Sequence, residues 1–234
     1  MGICGTVRQV VSLEQHDYGG IMKFATFSMV LLGTLLCSVA SADVLYSTLG
    51  PSNEYDTGNG YFVDGSGFTN QVLAASFSLG AGANIGDAML ALGNYQANNS
   101  AVNVYIESDN SGVPGSILWS LSQNGTILPF SSGGGLVEFD CVGCSLSAGN
   151  YWLVALEADP NSQQAWMWAY LDASANGAFD QSGSATGPWA TFTGADEGFL
   201  IDGSAVPEPG SLMLLGSGLL GFLGVARRRR GKQG

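Results

Sequence analysis

Between residues 43 and 205 the chain is a series of short runs in which apolar and polar residues alternate, each broken by Gly, Asn, Ser or Pro. Ala101-Val-Asn-Val-Tyr-Ile-Glu107 sets Val102, Val104 and Ile106 on one side of an extended strand, since successive side chains point to opposite faces. Tyr151–Glu157 and Ala165–Leu171 follow the same period. Further strands are expected over Gln71–Leu79, Ala88–Leu92, Ser116–Leu121, Leu136–Asp140 and Gly198–Asp202. No helix of ten or more residues suggests itself before the C-terminal tail. Many short strands joined by turn residues predict an all-β fold: one β-sandwich, jelly-roll-like, over residues 43–205.

Two apolar stretches break this pattern, one near each end. Met22-Lys23 precedes the apolar run Phe24–Val39, which leads into Ala40-Ser41-Ala42. A positive start, a short apolar stretch and an A-x-A exit predict a secretory signal peptide over residues 1–42, cut after Ala42. A transmembrane helix is the alternative, but the run is short and lacks a stop-transfer flank. Residues 1–21 supply nothing a signal requires, so Met22 is the candidate true start. At the other end, Val206-Pro-Glu-Pro-Gly210 leads into the apolar stretch Ser211–Ala226 and then Arg227, Arg228, Arg229 and Arg230. Pro207 and Pro209 fix φ and keep Glu208 in an extended peptide that a processing enzyme can grip. As a helix, residues 211–226 would extend about 24 Å, short of the roughly 30 Å hydrocarbon core. The arginines can snorkel to the interface and hold the tail on the cytoplasmic side.

Charge narrows the partners. The seven basic residues are Arg8, Lys23, the four arginines and Lys232, and the one histidine is His16; none falls between residues 24 and 226. All of the 19 acids except Glu14, Asp17 and Glu208 lie between Asp43 and Asp202. A domain so acidic and without cations cannot neutralise phosphates, which excludes nucleic acid as a partner. An anionic membrane surface would repel it too. Neutral polymers such as polysaccharides, and divalent cations, remain open. Plentiful aromatic and β-branched residues separate it from an acidic disordered tail.

The C-terminal arrangement, with Val206-Pro-Glu-Pro209, a Gly-rich apolar stretch and an arginine cluster in that order, closely resembles the PEP-CTERM sorting domain. The resemblance covers about the last 25 residues. It implies a substrate of exosortase, a transpeptidase-like cysteine enzyme of the membrane, with Pro207, Glu208 and Pro209 as the recognised motif. Arg227 to Arg230 would be the stop-transfer cluster and residues 211–226 a transmembrane helix removed on processing. It further implies a Gram-negative exported protein, held transiently in the inner membrane and then delivered to the cell surface or to an exopolysaccharide or biofilm matrix. A plain membrane anchor is the alternative, though it has no need of Pro-Glu-Pro. The segment Ala101–Gly115 followed by Ser116-Ile-Leu-Trp119, and later Leu146–Val154, resembles the choice-of-anchor domains found ahead of such signals. In this pattern a turn through Asp109-Asn-Ser-Gly112 and another at Pro114-Gly115 join two strands.

Few constellations inside the domain carry chemistry. Cys141-Val-Gly-Cys144 would suggest redox or zinc chemistry in a reducing compartment, but a second ligand pair is missing. Outside the cytoplasm a local disulfide is expected. The acid-rich turns Asp109–Gly112 and Glu54–Asn59 offer oxygen ligands for Ca²⁺, yet neither matches the twelve-residue calcium loop, and the same residues are ordinary turn formers. Trp152, Trp166 and Trp168 could stack on sugars, with Tyr170, or fill the sandwich core, which is the favoured reading. Without His, Lys or Arg the domain lacks a conventional base, a Schiff-base lysine and a cationic clamp, so no enzyme is expected. A glycoside hydrolase would need a carboxylate pair, and among Glu107, Asp109, Glu138, Asp140, Glu157 and Asp159 nothing in the sequence singles one out. The expected role is structural or adhesive, with a carbohydrate-binding module, possible Ca²⁺ dependence included, as the rival and a glycoside hydrolase as the second.

Overall fold

A computed structural model describes residues 43–96, 101–170, 175–194 and 196–206. The expectations placed on residues 1–42 and 207–234, including Pro207, Glu208, Pro209, the helix at 211–226 and the arginine cluster, lie outside these residues.

The fold is all-β. Among the described residues twelve strands run β1 (Asp43–Ser47), β2 (Tyr55–Asp64), β3 (Val72–Leu79), β4 (Ala83–Asn94), β5 (Val102–Asp109), β6 (Pro114–Asn124), β7 (Gly135–Leu146), β8 (Gly149–Glu157), β9 (Gln163–Ala169), β10 (Ala175–Asp180), β11 (Ala190–Gly194) and β12 (Phe199–Ala205). They form one curled antiparallel sheet in the order β1-β12-β4-β7-β6-β5-β8-β3-β10-β11, with β9 adding to β4 and β2 to β9. The long strand β6 makes the curl. Its first part pairs with β5, as in Tyr105 opposite Ser120, and its last residues Ser122–Asn124 pair with β7. The halves on either side of β6 thereby face one another as the two layers of a sandwich.

Side-chain parity explains the packing. Leu73, Ala75 and Phe77 of β3, Leu90 and Leu92 of β4, and Leu153 and Ala155 of β8 meet in the main core with Phe139, Trp166 and Phe199. The alternate residues are apolar as well, because the outer faces carry small cores of their own. Val72, Ala74, Trp152, Val154 and Ala178 cluster under Ala185 and Trp189 of the β10–β11 connection. On the other layer Ala91, Ala165 and Met167 pack with Tyr55, Phe130 and Leu136. Strands buried on both faces read as nearly continuous apolar runs rather than clean alternation.

Two expectations change. Pro114-Gly115 is not a second turn: Pro114 opens β6 directly opposite Asp109. The single turn between β5 and β6 is closed by a hydrogen bond from Asn110 N to Val113 O of 2.8 Å, with Ser111 and Gly112 at positive φ. Strands β1, β2, β10 and β11 also lie where no strand was expected.

Candidate functional site

The three tryptophans offered as a sugar face divide. Trp152 and Trp166 are 2% and 0% exposed, so neither ring can meet a sugar in solution. Trp152 donates from Nε1 to Asp109 Oδ1 at 2.9 Å, and Trp166 donates to Gly198 O at 3.1 Å. Trp168 is half-buried, and its ring centre lies 5.5 Å from that of Tyr61. The strand Gln163–Ala169 is apolar on both faces because both are covered, so period two alone could not tell inside from outside.

The acid-rich turns use their oxygens on the chain itself. Asp109 Oδ1 also accepts from Gly112 N at 3.2 Å. Asp56 accepts from Gly58 N at 2.8 Å and from Asn59 Nδ2 at 2.9 Å, and these bonds, the Asn59 bond foremost, pull its carboxyl below the usual range. Among the described residues no group of three Asp, Glu, His or Cys side chains is placed to hold a metal.

Cys141 and Cys144 form a disulfide with their Cα atoms 5.6 Å apart. Ile85 and Asp87, two apart on β4, stand opposite Cys144 and Asp140, four apart on β7, so the intervening residues arch out as a bulge. Val142 is 90% exposed at its tip, and Gly143 takes φ +74°. The disulfide clamps this arch. By loop-closure entropy the four-residue ring is worth about 2 kcal/mol. The Cys141→Ser, Cys144→Ser variant is expected to lose about that much in a urea titration, and to leave a protein whose stability no longer responds to reductant.

The carboxylates considered for hydrolysis are dispersed in their environments. Glu107 is 0% exposed on β5 with neither carboxylate oxygen hydrogen-bonded, and burial pushes its pKa up to about 7. Glu157 is buried beside Gln164 and Ser162, and burial raises it to about 8. Asp159 Oδ1 caps the backbone of Asn161 at 2.9 Å. Glu138 and Asp140 lie on β7, where together with Asp202 they face Asp87, whose carboxyl is raised first by burial and then by these three neighbours. Another buried acidic pair, Asp196 and Glu197 before β12, carries no distinguishing mark in the sequence. Burial raises Asp196 to about 6, and burial plus the neighbouring Asp196 raises Glu197 far above the usual range.

Three open hollows among the described residues share lining residues. The first, about 380 Å³, is lined by Tyr61, Gln71, Phe179, Gln181, Phe192 and Thr193. Phe192 and Thr193 also line the second, about 680 Å³, which reaches Ser111 and Gly112 of the β5–β6 turn. Those two residues in turn border the third, about 570 Å³, with Ser76, Ser78, Asn150 and the Asp109–Trp152 pair on its walls. In the first hollow the Phe192 ring stands edge-on to Tyr61, centres 4.9 Å apart at 63°, and lies 6.2 Å from Phe179. Glycines set these rings. A Cβ on Gly177 would come 2.2 Å from the Phe192 ring, and one on Gly194 would come 2.6 Å from the Tyr61 hydroxyl.

Fold and site together define an acidic, cation-free β domain with adjoining open hollows, whose strand β12 ends at Ala205, where Val206 N donates to Gly82 O at 2.8 Å. Residues 205–230 match the family model of the PEP-CTERM protein-sorting motif. The chain is thus an exported protein bearing a signal for exosortase, its processing partner. No curated protein matches the chain.

Proposed function

We propose that this protein is a non-catalytic structural or adhesive component of the cell surface or extracellular matrix, delivered there by exosortase. The observation that carries the reading is the sorting motif at residues 205–230. In this reading the signal peptide is cut after Ala42, Pro207-Glu208-Pro209 is the recognised peptide, and residues 211–226 anchor the precursor until they are removed. Residues 43–205 are then what remains at the surface. Two properties of that domain support an architectural role. It holds no Lys, Arg or His, and so lacks the usual bases and oxyanion clamps. Its Trp152–Asp109 bond and its disulfide across β7 are devices that fix turns and bulges.

The test is processing in the native host. Glu208→Gln, or deletion of Arg227–Arg230, is expected to leave the precursor at full mass in the inner membrane, whereas the unaltered chain is shortened and released to the surface. Normal shortening and release of both variants would overturn the sorting role assigned to these residues.

A further inference from the structure

The geometry points to the groove that starts at Tyr61, Phe179 and Phe192 as a binding site for a neutral polysaccharide chain, and so to glycan recognition as the adhesive act. This rests on the surface-protein reading above and names the chemistry of its partner.

The lining selects that chemistry. A sugar ring presents an apolar C–H face and an equatorial rim of hydroxyls, and sites for such ligands combine a few aromatic faces with well-placed polar groups. The first hollow offers the partly exposed rings of Tyr61, Phe179 and Phe192 beside the amides of Gln71 and Gln181 and the hydroxyl of Thr193. No charged residue lines it. Asp180, next to Gln181, is 3% exposed and turned onto Ser182 Oγ and Ser184 N. The rings are fixed before any ligand arrives, because Phe192 lies over the bare backbone of Gly177, which spares the cost of ordering them on binding.

The same lining makes the ligand a polymer and makes it neutral. Beyond Phe192 the adjoining hollows carry the hydroxyls of Thr191, Thr193 and Ser111, then those of Ser76 and Ser78 with the amide of Asn150, interleaved with Val113, Tyr46 and Phe77. Their one acid, Asp109, already accepts from Trp152 Nε1 and Gly112 N. A uronic-acid or sulfated chain would meet a domain with no cation to pair with.

Cellohexaose, laminarihexaose and mannohexaose, with a hexameric oligoguluronate as the anionic control, would be titrated calorimetrically into the full chain purified in detergent. Binding of at least one neutral oligomer and none of the oligoguluronate is expected. Gln181→Ala and Phe192→Ala should each weaken the neutral oligomer about tenfold or more. Phe192 also packs on Gly177, so Gln181, an exposed side chain, keeps the test decisive if the Phe192 variant fails to fold. Failure of all three neutral oligomers to bind overturns the inference, as does unchanged affinity in Gln181→Ala, or equal binding of the oligoguluronate. None of these outcomes alters the processing of the Glu208→Gln chain, so this inference and the sorting reading fail separately.

Discussion

Replacing Trp166 with Ala is expected to destabilise the domain by about 4 kcal/mol, the largest loss we anticipate from one side chain. The ring is 0% exposed, stands edge-on to Phe199 with centres 6.1 Å apart, and sits on β9 opposite Leu92 of β4. It thus ties β9, β4 and β12 at the point where the β9–β2 ribbon joins the sheet. Truncation leaves a cavity among side chains that cannot collapse into it, and it removes the Nε1 donor from Gly198 O. Against a typical domain stability of roughly 5–15 kcal/mol, a loss of this size brings the protein near unfolding at ordinary temperature. Trp166→Phe keeps the contact with Phe199 and should cost less than half as much. Trp168→Ala, at a half-buried ring, should also cost less than Trp166→Ala. Urea titrations of the exported protein and its variants, followed by tryptophan fluorescence, measure all three. A loss below about 1 kcal/mol for Trp166→Ala would show that the ring is not the keystone of this junction.

The sequence revealed the strands that are apolar on at least one face and long enough to show a period. It did not reveal β1, nor β2, β10 and β11, and for β2 and β10 the reason lies in their glycines. Gly60 in β2 and Gly177 in β10 look like strand breakers, but each marks a close approach. A Cβ on Gly60 would come 2.5 Å from the backbone oxygen of Trp166, and one on Gly177 would run into the Phe192 ring. What requires glycine at these positions is a residue more than a dozen places away, which no local window can see. The groove was hidden with them, since Tyr61, Phe179 and Phe192 come from the unrecognised strands β2, β10 and β11. The tryptophans drew notice by size, yet Trp166 went into the core and Trp152, 2% exposed, only borders the third hollow, while the smaller rings of Tyr61, Phe179 and Phe192 line the first. The C-terminal signal was legible throughout because its grammar is local: two prolines around one glutamate, an apolar stretch and four arginines.

The missing cations have a structural consequence beyond partner choice. Within residues 43–206 no carboxylate can find a Lys, Arg or His, so a buried acid is either held by hydrogen bonds or kept protonated. Asp180 and Asp64 take the first course, Asp180 accepting from Ser184 N and Asp64 from Thr69 Oγ1. For Glu107, Glu157, Asp196 and Glu197 burial instead raises the carboxyl pKa, which favours the protonated form. With no ion pair among residues 43–206 to lose, the domain is suited to acid, where most proteins lose carboxylate contacts.

The domain should accordingly become more stable as pH falls from about 8 to about 5. Glu107, Glu157 and Asp196 have folded pKa values pushed up by burial to about 7, about 8 and about 6, above the ordinary carboxylate range that they keep when unfolded. In this window the native state holds more protons than the unfolded chain, so stability declines as pH rises. The contribution is complete below the unfolded pKa and is lost as pH climbs through the folded values, from about 6 for Asp196 to about 8 for Glu157. Asp159 beside Glu157, and Asp202, Glu138 and Asp140 around Asp87, act in the same direction, since each is a like charge. A tenfold difference in proton affinity between the folded and unfolded states is worth about 1.4 kcal/mol. Allowing for relaxation and water entry, the gain across the window should be on the order of 3 kcal/mol. Urea titrations of the exported protein at pH 5, 6.5 and 8 read this directly. Combining Glu107→Gln with Glu157→Gln should flatten most of the slope, because an amide has no proton to take up. Stability that is level or rising between pH 5 and pH 8 would mean that these carboxylates reach water or a cation in solution, and that the cation-free interior does not set the acid tolerance of this domain.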